Sequence, residues 1–379
     1  MLAIKGGTVL TGTGAVIENA TIIVEGEMIK AVGKNLAVPD SCTVVEASGC
    51  YITPGFIDAH CHVGLEEEIY RIEGDDLNET TDPVQPHLRA VDGINFTDLG
   101  FQDALEAGVT RVLVLPGSAN IIGGQAALLS TKAHRISDMV LRDSWGVKAA
   151  LGENPKRVYG QQNKAPKTRM GSAALLREAL FSAARLAQKE NREPKEEFRL
   201  EPLIKVLRRE IPLLLHVHRV DDILTALRIK DEFDIDMVLQ HGTEAFMVAD
   251  AIAERQVAVC LGPLLTNRAK VELKEVAFRN ALLLHKAGVR FCLITDHPVV
   301  PIQFLPLCAA LAVREGLDEE AALRSITIEP ARILRCDAEV GSIEPGKKAD
   351  LVLFDGHPFE LRSKVVGVMV RGIWGKEGG

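Results

Sequence analysis

Gly55-Phe56-Ile57-Asp58-Ala59-His60-Cys61-His62 is the stretch on which the reading of this 379-residue chain turns. An apolar run through Tyr51, Ile52, Phe56 and Ile57 leads into two histidines one residue apart. In a strand, residues i and i+2 share a face, so His60 and His62 can aim their imidazoles at one point. That arrangement suits a borderline metal such as zinc. Two histidines on a half-buried strand are more often satisfied by hydrogen bonds, so the pair alone decides little. Pro54-Gly55 ahead of it is a break, and the strand that follows opens a new unit.

Working outward, residues 55 to about 335 alternate short apolar runs with helical stretches. The runs are 55–63, 110–115, 126–131, 147–151, 212–218, 237–240, 257–261 and 291–295. Helices are expected over 97–107, 173–189, 220–231, 244–254, 270–286 and 302–315. Eight strands buried on both faces and mostly separated by helices predict a (β/α)8 TIM-like barrel of the α/β class. The flanks differ. Residues 1–54 carry short β runs and tight turns, too little to bury a core alone. Similar runs recur at 349–355 and 365–370. The expected organisation is a small β-sandwich domain built from 1–54 and 340–379, around a catalytic barrel at 55–339.

Composition narrows the partners. The net charge is −8, with 44 basic against 52 acidic residues, and 4% of residues are aromatic. Neither nucleic acid nor an anionic membrane is an expected partner. Seven cysteines, at 42, 50, 61, 260, 292, 308 and 336, lack CxxC spacing. They suit reduced thiols in a cytoplasmic protein. The start of the chain turns polar too soon for a signal peptide, and no apolar run reaches ~18 residues. A homo-oligomer is compatible with the sequence, although no interface is legible in it.

Active sites of such barrels form at the C-terminal ends of the strands. Strand 1 ends in His60 and His62, and strand 4 runs out at Glu153. Strand 5 ends His216-Val217-His218, strand 6 Gln240-His241 and strand 8 Thr295-Asp296-His297. Six of the ten histidines therefore fall at such ends. Two long loops flank this face: 64–96, with nine acidic residues beside Arg71 and Arg89, and the basic 154–171. A glycine-rich loop at 116–125, carrying Gln125, can approach a ligand closely.

The motifs ITPGFIDAHCH (52–62), HVHR (216–219), QHG (240–242) and TDHP (295–298), with the C-terminal run 331–355, resemble the amidohydrolase superfamily of metal-dependent hydrolases. GENPKR (152–157) and HVHRVDD look most like its imidazolonepropionase-like and Xaa-Pro-dipeptidase-like branch. The resemblance implies that His60 and His62 hold one divalent metal and His216 and His241 a second. It also implies a bridging strand-4 carboxylate and Asp296 as both ligand and proton shuttle. Zinc is the first expectation, with one or two ions per chain, and manganese, cobalt or iron are alternatives. Many relatives bridge their metals with a carboxylated lysine. Here Lys148 lies inside strand 4 and Glu153 at its end, so Glu153 is the expected bridge.

The expected reaction is hydrolysis of an amide or cyclic-amide C–N bond in a small substrate. Asp296 shuttles the proton, and His218 or Tyr159 helps polarise the carbonyl. His218 shares a face with His216 and either reaches the pocket or supports a ligand from outside. Arg219 and Arg169 suit a carboxylate clamp, unless they pair with Asp221 and Asp222. The deaminases of the superfamily place a glutamate three residues after the strand-5 histidine. Arg219 stands there, which counts against a mononuclear deaminase. A non-catalytic scaffold would be expected to have lost ligands, and all six are present.

Overall fold

The computed structural model describes residues 1–69 and 72–376. Arg71 of the acidic loop, and residues 377–379 of the expected terminal domain, lie outside the described residues.

Five strands open the chain: β1 (Leu2–Leu10), β2 (Val16–Glu25), β3 (Met28–Lys34), β4 (Thr43–Glu46) and β5 (Tyr51–Pro54). Eight more make the barrel sheet: β6 (Phe56–Cys61), β7 (Val109–Val114), β8 (Ile122–Ser130), β9 (Val140–Ala150), β10 (Leu213–Val217), β11 (Met237–His241), β12 (Ala258–Leu261) and β13 (Phe291–Leu293). They pair in sequence order from β6 to β13. Across the gap between first and last, the Asp296 N–H donates to His60 O at 3.2 Å and the His62 N–H to His297 O at 2.9 Å. These bonds bring the ends of strands 1 and 8 together at the site.

Apolar alternation makes the barrel a packed body. Leu113 and Leu115 enter one buried cluster with Ile57, Leu214 and Ile294, while Val112 and Val114 enter another with Phe56 and the helices. Period-two alternation sends neighbours on a strand to opposite faces. The expected helices are α1 (Leu99–Glu106), α3 (Arg169–Ala187), α5 (Val220–Phe233), α6 (Ala249–Glu254), α7 (Arg279–Lys286) and α8 (Leu305–Arg314). The expected span 270–286 is helical only in part, with a 3-10 turn at 271–273 ahead of α7. Others were not anticipated: α2 (Glu153–Gln161) takes up the first part of the supposed basic loop, and α4 (Pro194–Leu207) follows α3. Pro155 lies in the first turn of α2, where its missing N–H removes no helical bond.

One strand departs from the uniform (β/α)8 pattern. β8 pairs antiparallel with both β7 and β9. Only residues 115–121 separate it from β7, too few for the crossover of a dozen or more residues that a parallel neighbour needs. The fold is therefore mixed α/β, with an eight-stranded, nearly closed barrel sheet in which one strand is reversed.

The terminal strands form a second sheet. After α9 (Glu319–Arg324) and α10 (Ile328–Ile333) come β14 (Leu351–Phe354), β15 (Val365–Val370) and β16 (Ile373–Lys376). The order is β16-β15-β14-β5-β1-β2-β3, with β4 on β1. β5 joins the two ends of the chain, running antiparallel to β14 and parallel to β1. Ile4, Ile22, Ile52, Leu351 and Met369 share its buried core. Only Gly55 separates β5 from β6, so the chain passes from one sheet to the other in a single residue. Among the described residues no helix is long and apolar enough to cross a membrane.

Candidate active site

The strand ends bring six ligating side chains together. His60, His62 and Asp296 form one group and His216, His218 and His241 another, each with its ligand atoms within 4.8 Å of one another. Asp296 Oδ1 is 3.0 Å from His60 Nε2 and 3.2 Å from His62 Nε2. The His241 ring centroid lies 4.6 Å from that of His60 and 4.3 Å from that of His216, so the groups adjoin. Two of these residues hold left-handed backbone, His241 at φ 75° and Asp296 at φ 56°. Such conformations are costly for side-chain-bearing residues and concentrate at functional sites.

Hydrogen bonds fix the ring tautomers. His62 Nδ1 lies 2.7 Å from Leu115 O and His241 Nδ1 2.8 Å from Gly262 O. Carbonyls only accept, so both rings carry their proton on Nδ1 and keep a lone pair on Nε2. His60 does the same through Gln240 Oε1 at 2.7 Å. Its buried Nε2, although close to Asp296, makes no hydrogen bond. Asp58 positions the pair from behind. Its carboxylate accepts the His60 N–H at 3.1 Å and both the N–H and the hydroxyl of Thr295.

Electrostatics point the same way. Burial holds His60 and His218 down at about 4, and pushes His216 and His241 well below the ordinary imidazole range, so these rings are neutral donors at pH 7. Asp296 Oδ1 faces the Nε2 atoms of both His60 and His62. Neutral nitrogens with free lone pairs beside an ionised carboxylate are the donor set of a zinc-type site. The residues fit a divalent metal.

Strand 4 corrects the sequence reading. Lys148, not Glu153, lines the cavity with His62, His216, His218, His241 and Asp296. The Lys148 Nζ is buried without a hydrogen-bond partner, and burial lowers its amine to about 7. Glu153 instead begins α2, outside both ligand groups and outside the cavity lining. The strand ends at Ala150, and a lysine stem reaches the cavity from two residues back.

Other expectations also move. His218 joins the cluster, with Nδ1 2.8 Å from Thr243 Oγ1. Tyr159 is buried with its hydroxyl given to Asn120 Oδ1 at 2.7 Å; it supports a loop and does not line the cavity. Arg219 makes two 3.1 Å bonds to the Asp221 carboxylate, and Arg169 bonds Asp222 at 2.9 Å. Both guanidinium groups are therefore committed to helix-start acids. The Gln125 amide donates to the His87 and Leu88 carbonyls and accepts from the Ser144 hydroxyl, away from the cavity. Three further charged groups line it: Glu66 from the acidic loop, Arg157 from the basic stretch 154–171, and Lys270. The charge runs marked the two loops but not which of their residues reach the strand ends, and Lys270 carried no local signal. The cavity volume is about 440 Å³.

Comparison with known proteins agrees with this geometry. Residues 210–374 match the model of the Amidohydrolase family. The structure of an amidohydrolase from Thermotoga maritima MSB8 is 42% identical, covers 99% of both chains and superposes with a TM-score of 0.94. The chain belongs to the amidohydrolase superfamily. Among curated proteins it is 29% identical over 385 residues to Amidohydrolase tasK of Hapsidospora irregularis, spanning 93% of this chain but only 39% of that one. It is 27% identical to a 5-methylthioadenosine/S-adenosylhomocysteine deaminase of Symbiobacterium thermophilum, covering 93% and 85%. Prolidase-type structures share the fold at 18% and 17% identity.

Proposed function

We propose that this chain is a metal-dependent hydrolase of C–N bonds, amide or cyclic amide, in a small substrate carrying both a positive and a negative group. The two adjoining groups His60, His62, Asp296 and His216, His218, His241, all but His60 lining one cavity, carry the reading. His60, His62 and Asp296 would hold one ion and His216 and His241 a second. Lys148, whose buried Nζ lines the same cavity, would supply a further carboxylate ligand as its carbamate, formed when the neutral amine adds to carbon dioxide and releases a proton. Bound divalent metal supplies Lewis acidity and makes water a nucleophile at neutral pH.

The chain's own residues do the rest. Asp296 accepts a proton as water attacks the substrate carbonyl, then delivers it to the nitrogen as the C–N bond breaks. His218 faces the carbonyl oxygen as that oxygen gains charge. Glu66, Arg157 and Lys270 all line the cavity, and charges of both signs there favour a substrate with an amine and a carboxylate. Dipeptides, N-acyl amino acids and lactams of amino acids fall in this class. Asp296→Asn should lower kcat by about 10²–10⁴-fold, the usual range for a lost general acid–base. A substrate panel should show zwitterionic dipeptides cleaved faster than the same dipeptides blocked at either end. Equal rates on free and blocked forms would contradict the charge assignment.

Similarity to a deaminase favours a second reading, hydrolytic removal of an exocyclic amine at one metal. Arg219 stands where that chemistry places its proton-donating glutamate, so amide cleavage is preferred. Ammonia release from aminopurine nucleosides, with no amide turnover, would reverse the preference. We also infer that 1–54 and 340–379 make one small β-sandwich domain beside the catalytic barrel. The seven free cysteines suit a cytoplasmic protein.

A further inference from the structure

Glu272 belongs to none of the strand ends that make the site. It lies in the 3-10 turn Val271–Leu273, in the connection after β12. Its side chain is 1% exposed, yet Oε1 has no hydrogen-bond partner. A buried carboxylate oxygen without a partner is costly unless something completes it. Three groups face that oxygen: Nε2 of His216 and of His218, each at 3.8 Å, and Nζ of Lys270 at 3.7 Å. The other oxygen, Oε2, accepts the Glu153 N–H at 3.1 Å and so ties the turn to the start of α2.

His216 is the exception among the clustered histidines. The other four each have Nδ1 held by a partner. Neither nitrogen of His216 has one, although the ring is 2% exposed. A ligand imidazole normally gives its second nitrogen to a carboxylate or carbonyl, which fixes tautomer and ring orientation. For His216 the carboxylate within reach is Glu272. Closing 3.8 Å to a hydrogen bond of about 2.9 Å needs a shift of roughly 0.9 Å, within side-chain adjustment.

We propose that Glu272 is a positioning residue for the metal centre, accepting a hydrogen bond from the Nε2–H of His216 and so fixing the orientation of that ring. This rests on the metal-hydrolase reading above. Because Oε1 is equally near His218, the same carboxylate sets the placement of both strand-5 histidines. Its approach to Lys270, at 3.7 Å, links the metal ligands to a cation that lines the cavity.

Two measurements test this. In the first, zinc affinities of wild type, Glu272→Gln and Glu272→Ala are compared by competition with a chromophoric chelator. One of the two ions should bind about 10–100-fold more weakly in both variants, the effect typical of a lost outer partner, while the other is unchanged. Affinities within twofold of wild type would overturn the proposal and leave Glu272 as a cap for α2. In the second, 15N-histidine spectra of the zinc-loaded wild type should show His216 with its proton on Nε2; an Nε2 without a proton would overturn it. This needs no variant to fold. A wild type that holds no zinc would instead remove the metal-hydrolase reading itself, a separate result.

Discussion

Lys148 makes the most exposed claim at the level of single residues. Its folded-state amine titrates at about 7, against an ordinary 10.5. Between those values the unfolded chain binds the extra proton, so its stability relative to the folded state changes with pH. Metal-free, carbonate-free protein should therefore gain stability as the pH rises from about 7 to about 10.5. Below about 7 the buried amine is charged and its penalty is full and flat. Denaturation of wild type and Lys148→Met should show the stability advantage of the methionine variant shrinking across that window. A constant gap would show that Lys148 is not a buried neutral amine. The same residue marks a limit of sequence reading. His60, His62, His216, His241 and Asp296 were legible because strand-end parity aims short side chains at one point. The strand-4 residue was not, since a long stem brings Nζ to the cavity from inside the strand while the nearer Glu153 turns into a helix.

At the level of elements, the passage from β5 to β6 is the tightest joint. Gly55 donates its N–H to Asp350 O at 2.8 Å, and a Cβ there would collide with the Thr110 side chain. Gly55→Ala should destabilise the protein by about 1–3 kcal/mol, the usual cost of overpacking, with a lower denaturation midpoint and an unchanged m-value. An unaltered midpoint would mean that the neighbouring strand yields freely. The Pro54-Gly55 break was visible in the sequence for the same reason: only a residue without a side chain fits. The reversal of β8 was hidden, because an apolar run reads alike in either direction. The count of residues before it carried the only clue. Arg219 and Arg169 follow the alternative that the sequence left open, pairing with Asp221 and Asp222 at the start of α5.

On the scale of the whole molecule, Arg111 on β7 and Asp350 just ahead of β14 form a buried ion pair at 3.0 Å between the barrel and the terminal sheet. Asp350 also accepts the Arg371 N–H at 2.8 Å. Removing one member of such a pair leaves an uncompensated buried charge, so Asp350→Ala should cost about 3–5 kcal/mol. Thermal unfolding would register this as a large fall in Tm, and a small one would place the two sheets' cohesion elsewhere. Both sheets serve to present one ring of strand ends, and the central claim is that this ring holds two divalent ions. The most direct measurement is metal per chain, by elemental analysis of protein purified without chelator and reloaded with zinc or manganese in bicarbonate buffer. Two equivalents per chain are predicted, and none after reloading would contradict the hydrolase assignment.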